Sequence, residues 1–264
     1  MIIIGELLNS SRDIIKEKIK EQDQQYIQKV AQKQVDNGAD YIDVNAGAFA
    51  RQETDYLVWL IETVQEVVAK PLAIDTANPY ALKQALKVHQ GTPLVNSITA
   101  EKKRYKKMLP LIKKHDAQVI ALCMGEEGFS DKAEPRIKTA ERLLDMLMEA
   151  EISHKNIFLD PLVRPISVNG EFGVQVLTTI KQIRDKYSQI NITCGLSNVS
   201  YGMPNRKLLN QAFLVMGMEK GLNSAIVDPL DSYLMSLIKA AEVLLNRDQF
   251  ARNYIEAAKT GKLD

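Results

Sequence analysis

Cysteine and histidine are scarce: the 264 residues hold two cysteines, Cys123 and Cys194, and three histidines, His89, His115 and His154. There is no CxxC pair and no HExxH, so a disulfide framework and a histidine-ligated metal centre have nothing to build on. The histidines fall in helices or in turns ahead of strands, which marks them as surface or structural. Each cysteine lies in its own apolar run with no histidine placed to activate it, and both read as buried strand residues rather than nucleophiles. Neither sign of charge is in excess: Lys+Arg number 34 and Asp+Glu 33, leaving no field to gather nucleic acid or a membrane surface. The basic run Lys102-Lys103-Arg104 with Lys106-Lys107 reads as a solvated helix face. No apolar stretch nears the roughly 18 residues that a bilayer span requires. The apolar start, Met1-Ile2-Ile3-Ile4, lacks the basic flank and cleavage site of a signal peptide, so the expectation is a cytoplasmic protein. No Gly-Lys-Ser/Thr and no GxGxxG occurs, which removes both nucleotide fingerprints.

What the sequence does contain is alternation. Short runs rich in Val and Ile, at 2–7, 41–44, 72–75, 94–96, 118–123, 157–160, 191–195 and 224–227, read as strands. Longer amphipathic stretches separate them, at 12–37, 53–69, 79–88, 102–115, 135–150, 173–187, 206–219 and 232–246. Within 135–150, Ala140, Leu143, Leu144, Leu147 and Met148 recur at intervals of three and four, which stacks them on one helix face. Strands this short and apolar are buried on both sides, as in parallel sheets covered by helices. Eight such units in order, with no linker rich in Pro, Gly or Ser, predict an α/β fold of the (β/α)₈ TIM barrel type. The expected organisation is a single domain over 1–264, closed by one extra helix from 248 to about 259.

A barrel of this kind carries its site at the C-terminal ends of the strands. Polar residues collect there: the first strand gives Glu6 and Asn9, the second Asp43, Asn45 and Gly47, and the third ends in Asp75 and Thr76. The fourth ends in Asn96 and Ser97, the fifth runs to Glu126, the sixth ends in Asp160, the seventh runs through Gly195 into Ser197 and Asn198, and the eighth ends in Asp228 and Asp231. One strand-end aspartate can simply cap the next helix. Capping does not explain why Asp75, Asn96 and Asp160 all point toward one rim, because buried carboxylates without a cation are costly unless each finds donors. A flat, fused, amide-bearing ring such as a pterin offers such donors, and an asparagine can both donate to and accept from it. The small residues of 195–202 would let a planar ligand approach the backbone, or cradle a phosphate.

The stretches Asp40-Tyr41-Ile42-Asp43-Val44-Asn45-Ala46-Gly47, Ile74-Asp75-Thr76, Val95-Asn96-Ser97-Ile98, Leu159-Asp160-Pro161 and Gly195-Leu196-Ser197-Asn198-Val199-Ser200 together resemble the pterin-binding methyltransferase family. They are most similar to its methyltetrahydrofolate:corrinoid methyltransferases. The resemblance runs from Gly5-Glu6 to Val227-Asp228-Pro229, and it is the order and spacing of the set that make it specific. It implies a (β/α)₈ barrel, a homodimer, tetrahydrofolate or methyltetrahydrofolate as substrate, and a cobalamin carried by a separate corrinoid protein. By the same resemblance Asp75, Asn96 and Asp160 would hold the pterin ring, and Asn198 would sit near N5. Asp43, Asn45 and Ser197 would form the supporting polar shell, and Gly195 would let the ring approach. No role is implied for Glu6 or Arg206.

An Asn198 amide cannot give up a proton at neutral pH, so it would donate a hydrogen bond that strengthens as charge develops on N5, and a full proton must come from elsewhere. The sequence has no Asp-x-His-x-x-Gly corrinoid motif, which implies delivery of the cobalt by the partner. Two rival readings are a dihydropteroate synthase and a folate-binding subunit without chemistry. The first is disfavoured because Val227-Asp228-Pro229-Leu230-Asp231 stands where that family has an Arg-x-His arrangement.

Overall fold

The computed structural model describes residues 1–263. The strands are β1 (Ile2–Asn9), β2 (Tyr41–Asn45), β3 (Leu72–Asp75), β4 (Leu94–Thr99), β5 (Gln118–Leu122), β6 (Ile157–Asp160), β7 (Asn191–Ile192) and β8 (Ser224–Val227). They pair in parallel as one eight-stranded sheet in which β1 lies between β2 and β8, and β7 lies at the far edge beside β6. Two backbone hydrogen bonds bring the edges together, Asn223 N to Ile192 O at 3.3 Å and Ile226 N to Cys194 O at 2.9 Å. The result is the predicted (β/α)₈ TIM barrel. Inside it, Ile4, Ala73, Leu94, Ile120 and Phe158 form a plug of their own. With that plug in place, a ligand can enter only at the ends of the barrel.

The helices are α1 (Asp13–Lys20), α2 (Gln24–Asp36), α3 (Glu53–Gln65), α4 (Pro79–Val88), α5 (Lys102–Lys114), α6 (Ala133–Glu149), α7 (Phe172–Lys186), α8 (Arg206–Lys220), α9 (Ser232–Leu244) and α10 (Arg252–Lys259). Several starts follow from capping chemistry. The Asn78 side chain accepts from Tyr80 N with Pro79 in the first turn of α4, and Asp231 accepts from Leu234 N at 3.1 Å to open α9.

Three sequence expectations are corrected. The helix expected over 12–37 is two helices, because Gln22 adopts φ 52° and Asp23 caps a fresh start at Tyr26 N. The seventh strand pairs regularly only over Asn191–Ile192. Beyond it the Thr193 N–H still reaches Leu159 O of β6 at 2.8 Å, and an isolated bridge joins Gly195 to Ile226 of β8. The tail helix begins at Arg252 rather than Asp248, since Phe250 and Ala251 take positive φ and buried Asp248 accepts from Tyr254 N at 3.0 Å.

Gly221 ends α8 at φ +112°, and a Cβ there would stand 2.5 Å from Arg184 Cγ. Arg184 is the tie between α7 and this turn, donating from Nε to Gly221 O at 3.1 Å and from NH2 to Asn223 Oδ1 at 3.0 Å. Gly91 also has positive φ, +80°, but open space around it. Gly221→Ala is therefore expected to cost about 2–4 kcal/mol, combining strained φ and overpacking, and Gly91→Ala about 1 kcal/mol from φ alone. Urea unfolding of the two variants checks the difference.

Candidate active site

Two strands lose register at their C-terminal ends. On β1 the pairing with β2 shifts between Gly5 and Leu8, so three steps on β1 face two on β2. Such a bulge re-aims a side chain, and here the residues concerned are Glu6 and Leu7. The Leu7 N–H, out of the ladder, donates to buried Gln34 Oε1 at 3.0 Å. Gly5 makes this possible, because a Cβ there would lie 2.4 Å from the same Gln34 oxygen. On β4 the shift falls between Asn96 and Ile98, around Ser97.

The polar residues of β2, β3 and β4 form one hydrogen-bonded set. Asn96 Nδ2 donates to Asp43 Oδ1 at 3.0 Å, and Asn45 Nδ2 donates to Asp75 Oδ2 at 2.9 Å. The Asn45 carbonyl oxygen in turn accepts from Ser10 Oγ at 2.9 Å and Gly47 N at 3.0 Å. Burial pushes the Asp43 carboxyl well up, and the neighbouring Asp75 and Glu6 charges push it further, against the Asn96 hydrogen bond. Burial also raises Asp75, to about 6, although the Asn45 amide and the Arg104 guanidinium oppose it.

Across the mouth, Asp160 accepts from Leu162 N at 2.7 Å and from the Gly195 N–H. Burial again lifts its carboxyl to about 6, with these N–H groups and the Arg136 guanidinium pulling the other way. Gly195 opens a short 3₁₀ turn, Leu196–Asn198. A Cβ on Gly195 would meet Asn198 Nδ2 at 2.9 Å, so the space this glycine leaves admits the Asn198 amide. Ser197 Oγ donates to Glu6 Oε2 at 2.6 Å, and Arg12 NH2 donates to Glu6 Oε1 at 2.7 Å. Arg206 fixes the turn by donating to Ser197 O at 2.7 Å and Ser200 Oγ at 3.1 Å. Burial raises the Glu6 carboxyl and Asp228 adds to it, while Ser197, Arg12 and Arg206 draw it back.

A cavity of 670 Å³ opens over this side of the mouth, with Glu6, Arg12, Ser197, Asn198, Arg206 and Asp228 in its walls. Lys207 and Asp231 also line it, so three cations face three carboxylates. Of the residues given a pterin-site role from sequence, Ser197 and Asn198 line this cavity, and the strand-end residues Glu6, Asp228 and Asp231 line it with them. Asp43, Asn45, Asp75, Asn96, Asp160 and Gly195 do not, but they connect to it: Asp43 feels the Glu6 charge, and Asp160 holds Gly195 beneath Asn198. A hollow of 570 Å³ also opens at the opposite end of the barrel, among Tyr41, Gln90, Gln118 and Lys155. None of the strand-end polar residues reaches it.

Three contributors escaped the sequence. Arg104 belongs to the run read as a solvated face, and Lys102, Lys103, Lys106 and Lys107 are indeed exposed. Its guanidinium instead turns back to Ser97 O, at 2.9 Å, and to the Asp75 charge. Arg136 is 1% exposed and binds Ser130 O while acting on Asp160. Glu6 carried no assigned role, because a bulge leaves no mark in hydrophobic periodicity. Both cysteines are buried, one residue past β5 and two past β7, and burial followed by the Asp160 charge raises their thiols. The histidines lie away from the mouth. His89 ends α4 and takes the Leu72 N–H at 3.3 Å, His115 ends α5, and His154 opens a turn before β6.

The family model described as pterin binding enzyme matches residues 5–228. The methylcorrinoid:tetrahydrofolate methyltransferase of Eubacterium limosum is 34% identical over 265 residues, spanning 100% of this chain and 98% of that protein. Methionine synthase of Mycobacterium tuberculosis is 27% identical over 240 residues, which are 86% of this chain but 20% of that protein. Among solved structures, dihydropteroate synthase from Xanthomonas albilineans, in complex with 7,8-dihydropteroate, has a TM-score of 0.70 at 16% identity, covering 93% of this chain and 92% of that one. The Yersinia pestis dihydropteroate synthase gives 0.67 at 17% identity, over 94% and 93%. At such identities the likeness is one of fold.

The raised carboxyls make stability depend on pH with a definite sign. Below about pH 4 Asp75 is protonated in folded and unfolded chains alike and costs nothing. Between about 4 and 6 the unfolded chain ionises first, so the folded state loses stability, and above 6 the loss is complete. Asp75→Asn keeps an oxygen for the Asn45 amide and removes the charge. It is expected to gain about 1–2 kcal/mol at pH 8 and nothing below pH 4. Urea unfolding of both proteins across that range checks it.

Proposed function

The chain belongs to the pterin-binding enzyme family, and from that premise we propose that it moves a methyl group between N5 of tetrahydrofolate and the cobalt of a corrinoid held by a partner protein. The observation that carries this reading is a hydroxyl and an amide, Ser197 and Asn198, in the wall of a cavity near buried aspartates, Asp75 and Asp160, whose nearest hydrogen-bond donors are neutral. Asp75, Asn96 and Asp160 take the N–H groups of the pterin ring, whose donors relieve the cost of their burial. Asp43 holds Asn96 and Asn45 holds Asp75, while Ser197 completes the polar shell at the strand-seven turn, on Glu6. Asn198, over Gly195, donates to N5.

On N5 the methyl group is a poor electrophile, because its leaving group is an amine that becomes an anion. A donor aimed at N5 strengthens as that charge grows, which lowers the barrier in both directions. The corrinoid supplies the cobalt that accepts or gives up the methyl group. None of the three histidines lies at the mouth, which fits a corrinoid bound and ligated elsewhere and presented across the rim. That rim is suited to docking. Phe129, Val168, Tyr201 and Leu230 from four strand-to-helix connections, and Ile14 and Tyr80 in the first turns of α1 and α4, all stand exposed. Exposed apolar groups ringing a polar cavity mark a protein-binding surface.

A synthase reading finds less support, because β8 leads into Asp228 and Asp231, two carboxylates where a leaving diphosphate needs positive charge. The protein acts as a homodimer in the cytoplasm. Leu208 and Met216 on α8, with Tyr233, Leu237 and Leu244 on α9, offer adjacent exposed apolar faces for the second copy. No helix among the described residues is long and apolar enough to cross a membrane.

The deciding measurement mixes protein, methyltetrahydrofolate and reduced cobalamin and follows the cobalt absorption. Methylcobalt formation is the expected result, and tight folate binding without it leaves a binding subunit. Asn198→Ala is expected to slow transfer about 10²–10³-fold while folate affinity changes little; equal losses in both would remove its assigned role. Leu237→Asp is expected to shift the dimer to monomer in analytical ultracentrifugation.

A further inference from the structure

Methylation of tetrahydrofolate leaves a proton to be disposed of, and the reverse reaction needs one. When the N5 lone pair forms the new N–CH3 bond, the cobalt–carbon electron pair stays on cobalt, which is reduced by two electrons. N5 then carries both hydrogen and methyl, and the hydrogen must leave as a proton. An amide cannot take it at neutral pH, and a serine hydroxyl can only pass it on. Asp43, Asp75 and Asp160 accept from the Asn96 amide, the Asn45 amide and the Leu162 N–H, and none of the three lines the cavity that holds Ser197 and Asn198.

Of the three carboxylates in the cavity wall, Glu6 is the one hydrogen-bonded to the Ser197 hydroxyl. Glu6 shares the 670 Å³ cavity with both residues. Its Oε2 already accepts the Ser197 hydroxyl at 2.6 Å. It is placed there by the β1 bulge, which Gln34 holds at the Leu7 N–H and which Gly5 permits. A strand end shaped by three residues to aim one carboxylate at the hydroxyl beside the proposed N5 donor has a purpose beyond capping.

We infer that Glu6, acting through the Ser197 hydroxyl, takes the N5 proton when tetrahydrofolate is methylated and returns it in the reverse transfer. Ser197 Oγ receives the N5 proton as its own passes to Glu6 Oε2, so charge and atoms balance. The inference rests on the proposed methyl transfer. The groups that set the carboxyl's proton affinity face it from several elements: Arg12 beyond β1, Ser197 and Arg206 from the β7 connection and α8, and Asp228 beyond β8, while Asp43 within β2 feels the Glu6 charge in turn. Burial outweighs the two guanidinium groups, and the carboxyl is shifted upward. An upward shift makes the carboxylate a stronger base, as taking up a proton requires. The methylated N5 is attached to an aromatic ring, so its ammonium form is itself of carboxylic-acid strength and matched to such a partner.

Single-turnover transfer measured in both directions from pH 5 to 9, with free cobalamin as the corrinoid, tests this. In the wild type, tetrahydrofolate methylation should slow as pH falls through the Glu6 titration, and the reverse transfer should slow as pH rises through it. Glu6→Gln should lower both rates roughly 10²–10⁴-fold and flatten both profiles, with folate affinity within about threefold. Ser197→Ala should do the same, and the double variant no worse than either single one, as for two groups in series. Should Glu6→Gln fail to fold, Ser197→Ala carries the test. Wild-type rates and profiles in the folded variants would overturn the relay while leaving methyl transfer standing. A wild-type protein that moves no methyl group overturns both.

Discussion

Everything at the mouth of this barrel is arranged around the cost of keeping carboxylates out of water. Glu6, Asp43, Asp75 and Asp160 are drawn together at the strand ends, and burial raises the proton affinity of all four. A buried carboxylate is tolerable when donors surround it. Here the donors are mostly neutral: the amides of Asn45 and Asn96, the N–H groups of Leu162 and Gly195, the hydroxyl of Ser197. Arg12 pairs directly with Glu6, while Arg104 and Arg136 stand one step back, acting on Asp75 and Asp160. Full satisfaction by arginine would have made a stable salt-bridge network with nothing left over to bind. Partial satisfaction leaves acceptors for a ligand, and the packed barrel and its helices offset the loss.

How much of this the sequence revealed depended on the physical signal. β3, β6 and β8 coincide with their apolar runs because each is bounded by a polar residue or a turn, and nothing else competes for the same residues. The strand-end polar set was legible for the same reason, since a barrel places every such residue at one rim. The break at Gln22 was hidden because apolar periodicity continues across it and only Asp23, an unremarkable surface residue, restarts the helix. The short ladder of β7 was hidden because strand composition says nothing about which neighbour the chain will join. Arg104 and Arg136 look like ordinary helix-surface cations, and only the tertiary fold shows their guanidinium groups turned inward.

The register shifts on β1 and β4 belong to a different order of information. Neither alters composition, and each moves a single residue. The β1 shift depends on Gly5 being small enough for the Gln34 oxygen to approach and on Gln34 being long enough to reach the Leu7 N–H. Residues nearly 30 positions apart thus cooperate to turn one glutamate. Gly195 illustrates the same point. From sequence it is room for a ring; in the structure the room is taken by the Asn198 amide, and the glycine N–H is spent on Asp160.

These details divide the mouth into two halves with different tasks. Asp43, Asn45, Asp75 and Asn96, on three consecutive strands, form a rigid cross-linked acceptor surface with little to titrate against solvent cations. Glu6, Ser197, Asn198, Arg12 and Arg206 surround a charge-balanced cavity, where a proton affinity can be set by opposing neighbours. Gripping a flat heterocycle requires the first kind of surface; changing the protonation of one of its nitrogens requires the second. Asp160 joins them, because it accepts from the Gly195 N–H directly beneath Asn198. A ring seated on the acceptor surface and touching Asp160 would therefore press on the segment that carries the donor amide. On the proposed reading, binding and chemistry would then be coupled through this one contact between Asp160 and the Gly195 N–H.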